Sequence, residues 1–68
     1  MNGDLKAGDR LRVTARVRVP GYQPGDKGTA VSGPHLRPSG GSYYIARMDR
    51  DHPDTRVILA DDEVEADA

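Results

Sequence analysis

The chain has 68 residues, a formal net charge of −1, eight glycines, five prolines and no cysteine, phenylalanine or tryptophan. A folded chain of this mass exposes about 4,200 Å² and buries roughly 60% of its unfolded surface, which excludes a second domain and a large enclosed active site. The missing cysteines exclude a disulfide framework, a thiolate metal site and a catalytic thiol. No unbroken apolar run approaches the length of a membrane span, and no signal-peptide pattern opens the chain. A cytoplasmic protein is the default expectation.

Residues 1–7 form a loose N-terminus apart from Leu5. After a Gly8-Asp9 turn, Leu11, Val13, Ala15, Val17 and Val19 alternate with Arg10, Arg12, Thr14, Arg16 and Arg18. Period two predicts a half-buried strand with an arginine stripe on its solvent face. The stretch PGYQPGDKG at 20–28 is a loop around Tyr22, because two prolines and three glycines do not continue a strand. Thr29–Ser32 is a short second strand, and GPHLRPSGGS at 33–42 a turn-rich stretch. Ser42–Met48 is a third strand in which adjacent Tyr43 and Tyr44 point to opposite faces; which of them is buried stays open. A polar turn, DRDHPD, leads to a fourth strand at Thr55–Ala60, with Val57 and Leu59 set against Arg56 and Ile58. Asp61-Asp62-Glu63 suits a short 3₁₀ turn that Asp61 caps, and Val64 sits in a final short strand before a frayed 67–68.

Five short strands and no helical pattern predict an all-β fold. Closing the sheet hides one face and limits its edges, so the expected architecture is a small five-stranded SH3-like barrel over residues 8–66 with a short 3₁₀ turn before the last strand.

The segments GDRLRVTARVRVPGYQPGDKGTAVSG, SYYIARM and TRVILADDEVEAD resemble the small SH3-like barrels that include photosystem I reaction-centre subunit IV, the ferredoxin–thioredoxin reductase variable chain and the C-terminal region of the nitrile hydratase β-subunit. A weaker likeness runs to the KOW-type barrels of ribosomal and transcription factors. The resemblance implies the fold and a general role in binding a protein partner. The chain departs from the photosystem type in having Tyr22 as the one aromatic of its first loop, and from the KOW type in the proline-rich stretch before Gly28.

Charge is segregated along the chain. Residues 1–34 hold six Lys/Arg and three Asp/Glu, a balance of +3; residues 35–68 hold four and eight, a balance of −4, and the two sum to −1. Arg10, Arg12, Arg16, Arg18, Tyr22 and Lys27 are the candidate partner-binding residues. Arginines present planar bidentate donors to carboxylate or phosphate, and a loop tyrosine suits an interface anchor. The competing reading makes the stripe an ordinary solvated face paired with acids elsewhere, and Tyr22 a lid on the core. If the stripe binds, an acidic protein surface is favoured over nucleic acid, which calls for net positive charge and interleaved aromatics.

His35, His52 and the neighbouring aspartates lack metal-ligand spacing. No nucleophile–base arrangement is signalled either, so neither enzyme activity nor a cofactor is expected. The resulting expectation is a non-catalytic accessory module, monomer or homodimer, docking on a larger complex. The alternatives are an RNA- or ribosome-associated KOW-like module and a small regulatory subunit of a redox or metabolic enzyme. RNA binding turns on whether the acids of 61–65 flank the arginine stripe in space or lie opposite it.

Overall fold

The computed structural model describes residues 5–67. Five strands, β1 (Arg10–Val13), β2 (Lys27–Leu36), β3 (Ser42–Met48), β4 (Val57–Ala60) and β5 (Val64–Ala66), form one antiparallel sheet in the order β4-β3-β2-β1-β5. The all-β expectation holds, and no helix occurs among the described residues.

The order forces the sheet to curl. Its edge strands, β4 and β5, are joined by Asp61, Asp62 and Glu63 alone. Flat strands at the two edges of a five-stranded sheet lie about 19 Å apart, whereas the link from Ala60 to Val64 reaches about 14 Å when fully extended. The pairings of the described residues include no β4–β5 ladder. The link itself is one hydrogen-bonded turn, in which Glu63 N–H donates to the Ala60 carbonyl at 2.9 Å. Asp61 does not cap it: its carboxylate accepts from the Ser42 backbone N–H and hydroxyl at 3.2 and 3.3 Å and ties the turn to the start of β3.

One face of the sheet makes the core. Leu11 and Val13 of β1, Ala30 of β2, Tyr44, Ala46 and Met48 of β3, Val57 and Leu59 of β4, and Val64 of β5 are buried together with Leu5. Tyr44 is the buried member of the tyrosine pair, and its hydroxyl oxygen accepts from the Leu5 N–H at 3.3 Å. That bond and the burial of Leu5 extend the folded unit upstream of Gly8. At the other end, Asp67 N–H donates to the Arg10 carbonyl.

Two expected elements change length. The first strand ends at Val13 instead of running to Val19. Thr14 turns the chain: its hydroxyl donates to the Asp62 carbonyl at 2.6 Å and accepts from Arg16 N–H at 3.2 Å, while Val17 N–H reaches the Thr14 carbonyl. Such local hydroxyl–backbone bonds compete with a strand ladder. Ala15, expected inside, is exposed. Val17 and Val19 nonetheless pack on the core from the loop, so the alternation persisted in burial where the strand did not.

The second strand is longer than expected, because the stretch around Gly33-Pro34-His35 continues it to Leu36. Register shifts between Ala30 and Ser32 and between Ser32 and His35 bend it. Gly33 sits at one bend with φ +122°, where an added Cβ would lie 2.8 Å from Tyr44 Cδ1 and 3.0 Å from the Tyr43 carbonyl oxygen. Only a residue without a side chain lets β2 cross Tyr44 there.

Candidate functional site

The outer face of the sheet divides into two halves. The half built on β5 and β1 carries most of the residues singled out by sequence. Because β1 lies beside β5, with Arg12 opposite Glu65, the basic start of the chain meets its acidic end. Arg12 Nε donates to Glu65 at 2.9 Å, and its Nη1 lies 3.6 Å from Asp67. Lys27 Nζ lies 3.5 Å from the same Asp67. Arg10 makes a bidentate contact with Asp49 and also donates to the Thr29 hydroxyl. The pairing holds the Asp49 carboxyl below the usual carboxylate range and raises the Arg10 guanidinium.

Arg16 and Arg18 lie off β1, in the loop of residues 14–26, which corrects the expectation of four arginines on one strand face. Arg18 binds Asp62 through both terminal nitrogens, at 3.2 and 2.7 Å. This contact lowers the Asp62 carboxyl and raises the guanidinium. Arg16 is exposed and makes no direct ion pair among the described residues. Tyr22 is half-buried against the core, and its hydroxyl donates to Asp51; that bond, helped by burial, pushes the phenol above its ordinary value. The acids of 61–65 therefore flank the arginines and do not lie opposite them.

In the sequence Glu63 is one acid among those of the acidic tail, yet it is the one buried charged residue among the described residues, at 4% exposure. Its Oε1 accepts from the Ala60 N–H at 2.8 Å and its Oε2 from the Arg18 N–H at 2.6 Å. The carboxylate thus joins the outer edge of β4 to the loop of 14–26, in place of a strand ladder. Asp61 N–H points toward β3, to the Ser42 carbonyl, so by strand alternation Ala60 and Ile58 direct their backbone groups outward. Glu63 occupies both outward groups of Ala60, the N–H through its side chain and the carbonyl through its own N–H. Ile58 keeps the edge groups that remain in β4.

The other half of the outer face, on β2, β3 and β4, has a different chemistry. Ile45 of β3 pairs with Ile58 of β4 on one side and with Ser32 of β2 on the other, where Val31 shares the bulge. Val31 is 38% exposed and Ile58 57%. Tyr43, two residues along the same face, stacks against His35 with ring centroids 5.1 Å apart, and the Arg37 guanidinium lies 5.6 Å from the Tyr43 centroid. Ser32 Oγ and His35 Nε2 are 2.9 Å apart. The sequence did carry the signal: Ile45 and Ile58 occupy the solvent phase of strands whose core phase is Tyr44, Ala46, Val57 and Leu59.

Arg37, Arg47 and Arg56 surround this strip, all exposed and none in a direct ion pair among the described residues. Arg47 follows Ala46, which pairs with Val57, and Arg56 immediately precedes Val57 at the start of β4, so the two arginines lie at the same end of the strip. Arg56 is steadied by the Pro53 and Thr55 carbonyls, at 2.7 and 3.2 Å, and not by an acid. Among the described residues there is no group of three or more metal-ligating side chains and no helix long and apolar enough to cross a membrane.

Comparison of the chain with protein-family models, with curated proteins and with solved structures finds no match.

Proposed function

We propose that the chain is a non-catalytic protein-binding module that docks onto a larger protein or complex through the outer face of β2, β3 and β4. The observation that carries this reading is the apolar strip on the side of the sheet away from the core, in which Ile45 and Ile58 pair in register and Val31 lies in the adjoining bulge. Single exposed apolar residues are ordinary, but a contiguous strip rimmed by polar groups is the composition of an interface centre.

The docking face moves away from the strand of Arg10 and Arg12. Those side chains and Arg18 and Lys27 already have carboxylate partners within the chain, and a partner's acids would have to displace them. The same pairing weighs against the RNA-associated reading, since Asp62, Glu65 and Asp67 sit where phosphate would have to approach. The curled sheet, with its last strand beside its first, supports the SH3-like barrel reading.

The test is comparative capture from lysate of the native host, with three baits: the wild-type chain, Ile58→Asp, and the double variant Arg12→Glu, Arg16→Glu. Partners retained by the double variant and lost with Ile58→Asp are the expected result. Retention by Ile58→Asp with loss on the double variant returns the site to the arginine face.

A further inference from the structure

We infer that the segment docking on the strip of Val31, Ile45 and Ile58 is an acidic, apolar stretch of another protein, whose carboxylates are received by Arg37 at one end and by Arg47 and Arg56 at the other. This rests on the docking face proposed above and adds the chemistry of its occupant.

Charge complementarity is the reason. In the β5–β1 half of the molecule, Arg10, Arg12, Arg18 and Lys27 each have a carboxylate of this chain in direct contact. Around the apolar strip, three guanidiniums lack one. Arginine is weakly hydrated and forks onto carboxylate, so it suits the rim of an apolar contact better than lysine. The strip also sets a spacing. Arg37 lies over Tyr43, and Tyr43 and Arg47 are four residues apart on β3, about 13 Å along a strand. A fitting segment carries aliphatic side chains between two carboxylates that far apart.

Nucleic acid fits less well. The two rings of the face, Tyr43 and His35, are already stacked on each other with Arg37 over Tyr43, and the rest of the face is the aliphatic Val31, Ile45 and Ile58, which give bases nothing to stack on. A second copy of the chain pairing edge to edge along β4 is also disfavoured, because Glu63 already holds both outward backbone groups of Ala60. Only Ile58 then offers edge groups within the strand, too few for a ladder.

The experiment pans a random-peptide display library on the immobilised intact chain, and in parallel on Arg37→Glu/Arg47→Glu/Arg56→Glu and on Ile58→Asp. Wild type should select peptides with Asp or Glu flanking Leu, Ile or Val. The charge-reversed chain should select Lys or Arg in those flanking positions and bind the wild-type peptides at least roughly tenfold more weakly, a loss of ~1.4 kcal/mol. Thermal melting checks that the reversed chain is folded. If it is not, Arg47→Gln/Arg56→Gln replaces it, with weaker binding of the acidic peptides expected.

Neutral apolar peptides selected equally by wild type and by the charge-reversed chain, and lost on Ile58→Asp, would overturn the acidic occupant while leaving the docking face in place. Acidic peptides indifferent to both variants would overturn the docking face as well. Failure of the wild type to select any peptide, or tighter binding of single-stranded RNA oligonucleotides to the same residues by amide chemical-shift mapping, would also overturn the inference.

Discussion

The two halves of the outer face are built from the same strand alternation and end in opposite states. On β5 and β1, charged side chains face each other across the ladder and neutralise one another, as Arg12 does with Glu65. On β3 and β4, Ile45 faces Ile58, and the nearby Arg37, Arg47 and Arg56 have no direct acidic partner among the described residues. A count of arginines therefore does not tell which cations the fold leaves without a carboxylate. Four of the five cations first singled out are satisfied by the fold, and the unsatisfied arginines beside apolar surface lie elsewhere.

The comparison breaks most readily at Glu63, which holds the curled sheet to the loop beside the compensated half. Glu63→Ala leaves the buried Ala60 N–H and the part-buried Arg18 N–H without their acceptor and is expected to cost about 3 kcal/mol. Urea denaturation measures this, and Arg18 should then show faster amide hydrogen exchange. A loss below about 1 kcal/mol would mean that water replaces the carboxylate without penalty.

Next in size is Gly33→Ala, in the half that carries the apolar strip. The added methyl meets Tyr44 and the Tyr43 carbonyl, and the backbone is left-handed there. The expected loss is about 2 kcal/mol, with changed shifts at Tyr43 and His35, because β2 must move off β3. Unchanged stability would show that the bend tolerates a side chain.

Acidification separates the halves. Asp49 and Asp62 titrate below the usual carboxylate range because Arg10 and Arg18 bind them. Their folded values are depressed, so the stability they contribute is present above the ordinary unfolded value of 3.8 and is lost as pH falls through the lower folded values. Both carboxylates are partly exposed, so solvent screening keeps the effect modest. Melting temperature followed through acid should fall less steeply for Asp49→Asn/Asp62→Asn than for wild type. Parallel curves would remove these two ion pairs from the stability of the fold.

The smallest expected effect is at Ile58. Ile58→Thr keeps a β-branched side chain at an exposed strand position and should change stability by no more than about 0.5 kcal/mol. It should still weaken partner binding. A large loss of stability would mark Ile58 as structural and weaken its assignment to a docking face.

Much of the fold was legible in the residues. The alternations of β3 and β4 placed Tyr44 and Tyr43 on opposite faces and set Ile58 apart from Val57 and Leu59, as found. The alternation after Gly8 outlasts its strand, because Val17 and Val19 reach the core from a loop and leave the same pattern in the sequence. GPHL has the composition of a turn, because glycine and proline usually interrupt strands, whereas the bulged β2 uses Gly33 to pass Tyr44.

By itself the sequence determined the all-β class, the approximate places of the five strands and the alternation of β3 and β4, while which tyrosine of β3 turns inward was left to the packing. These follow from local chemistry: period-two burial, turn residues, and too few large apolar groups for anything bigger. Tertiary structure alone decided the fate of the charges. Arg12 and Glu65 are more than fifty residues apart in the chain and meet because the last strand pairs with the first. Ion pairing acts over a few ångströms of space, and the chain's order does not contain that distance until the sheet curls.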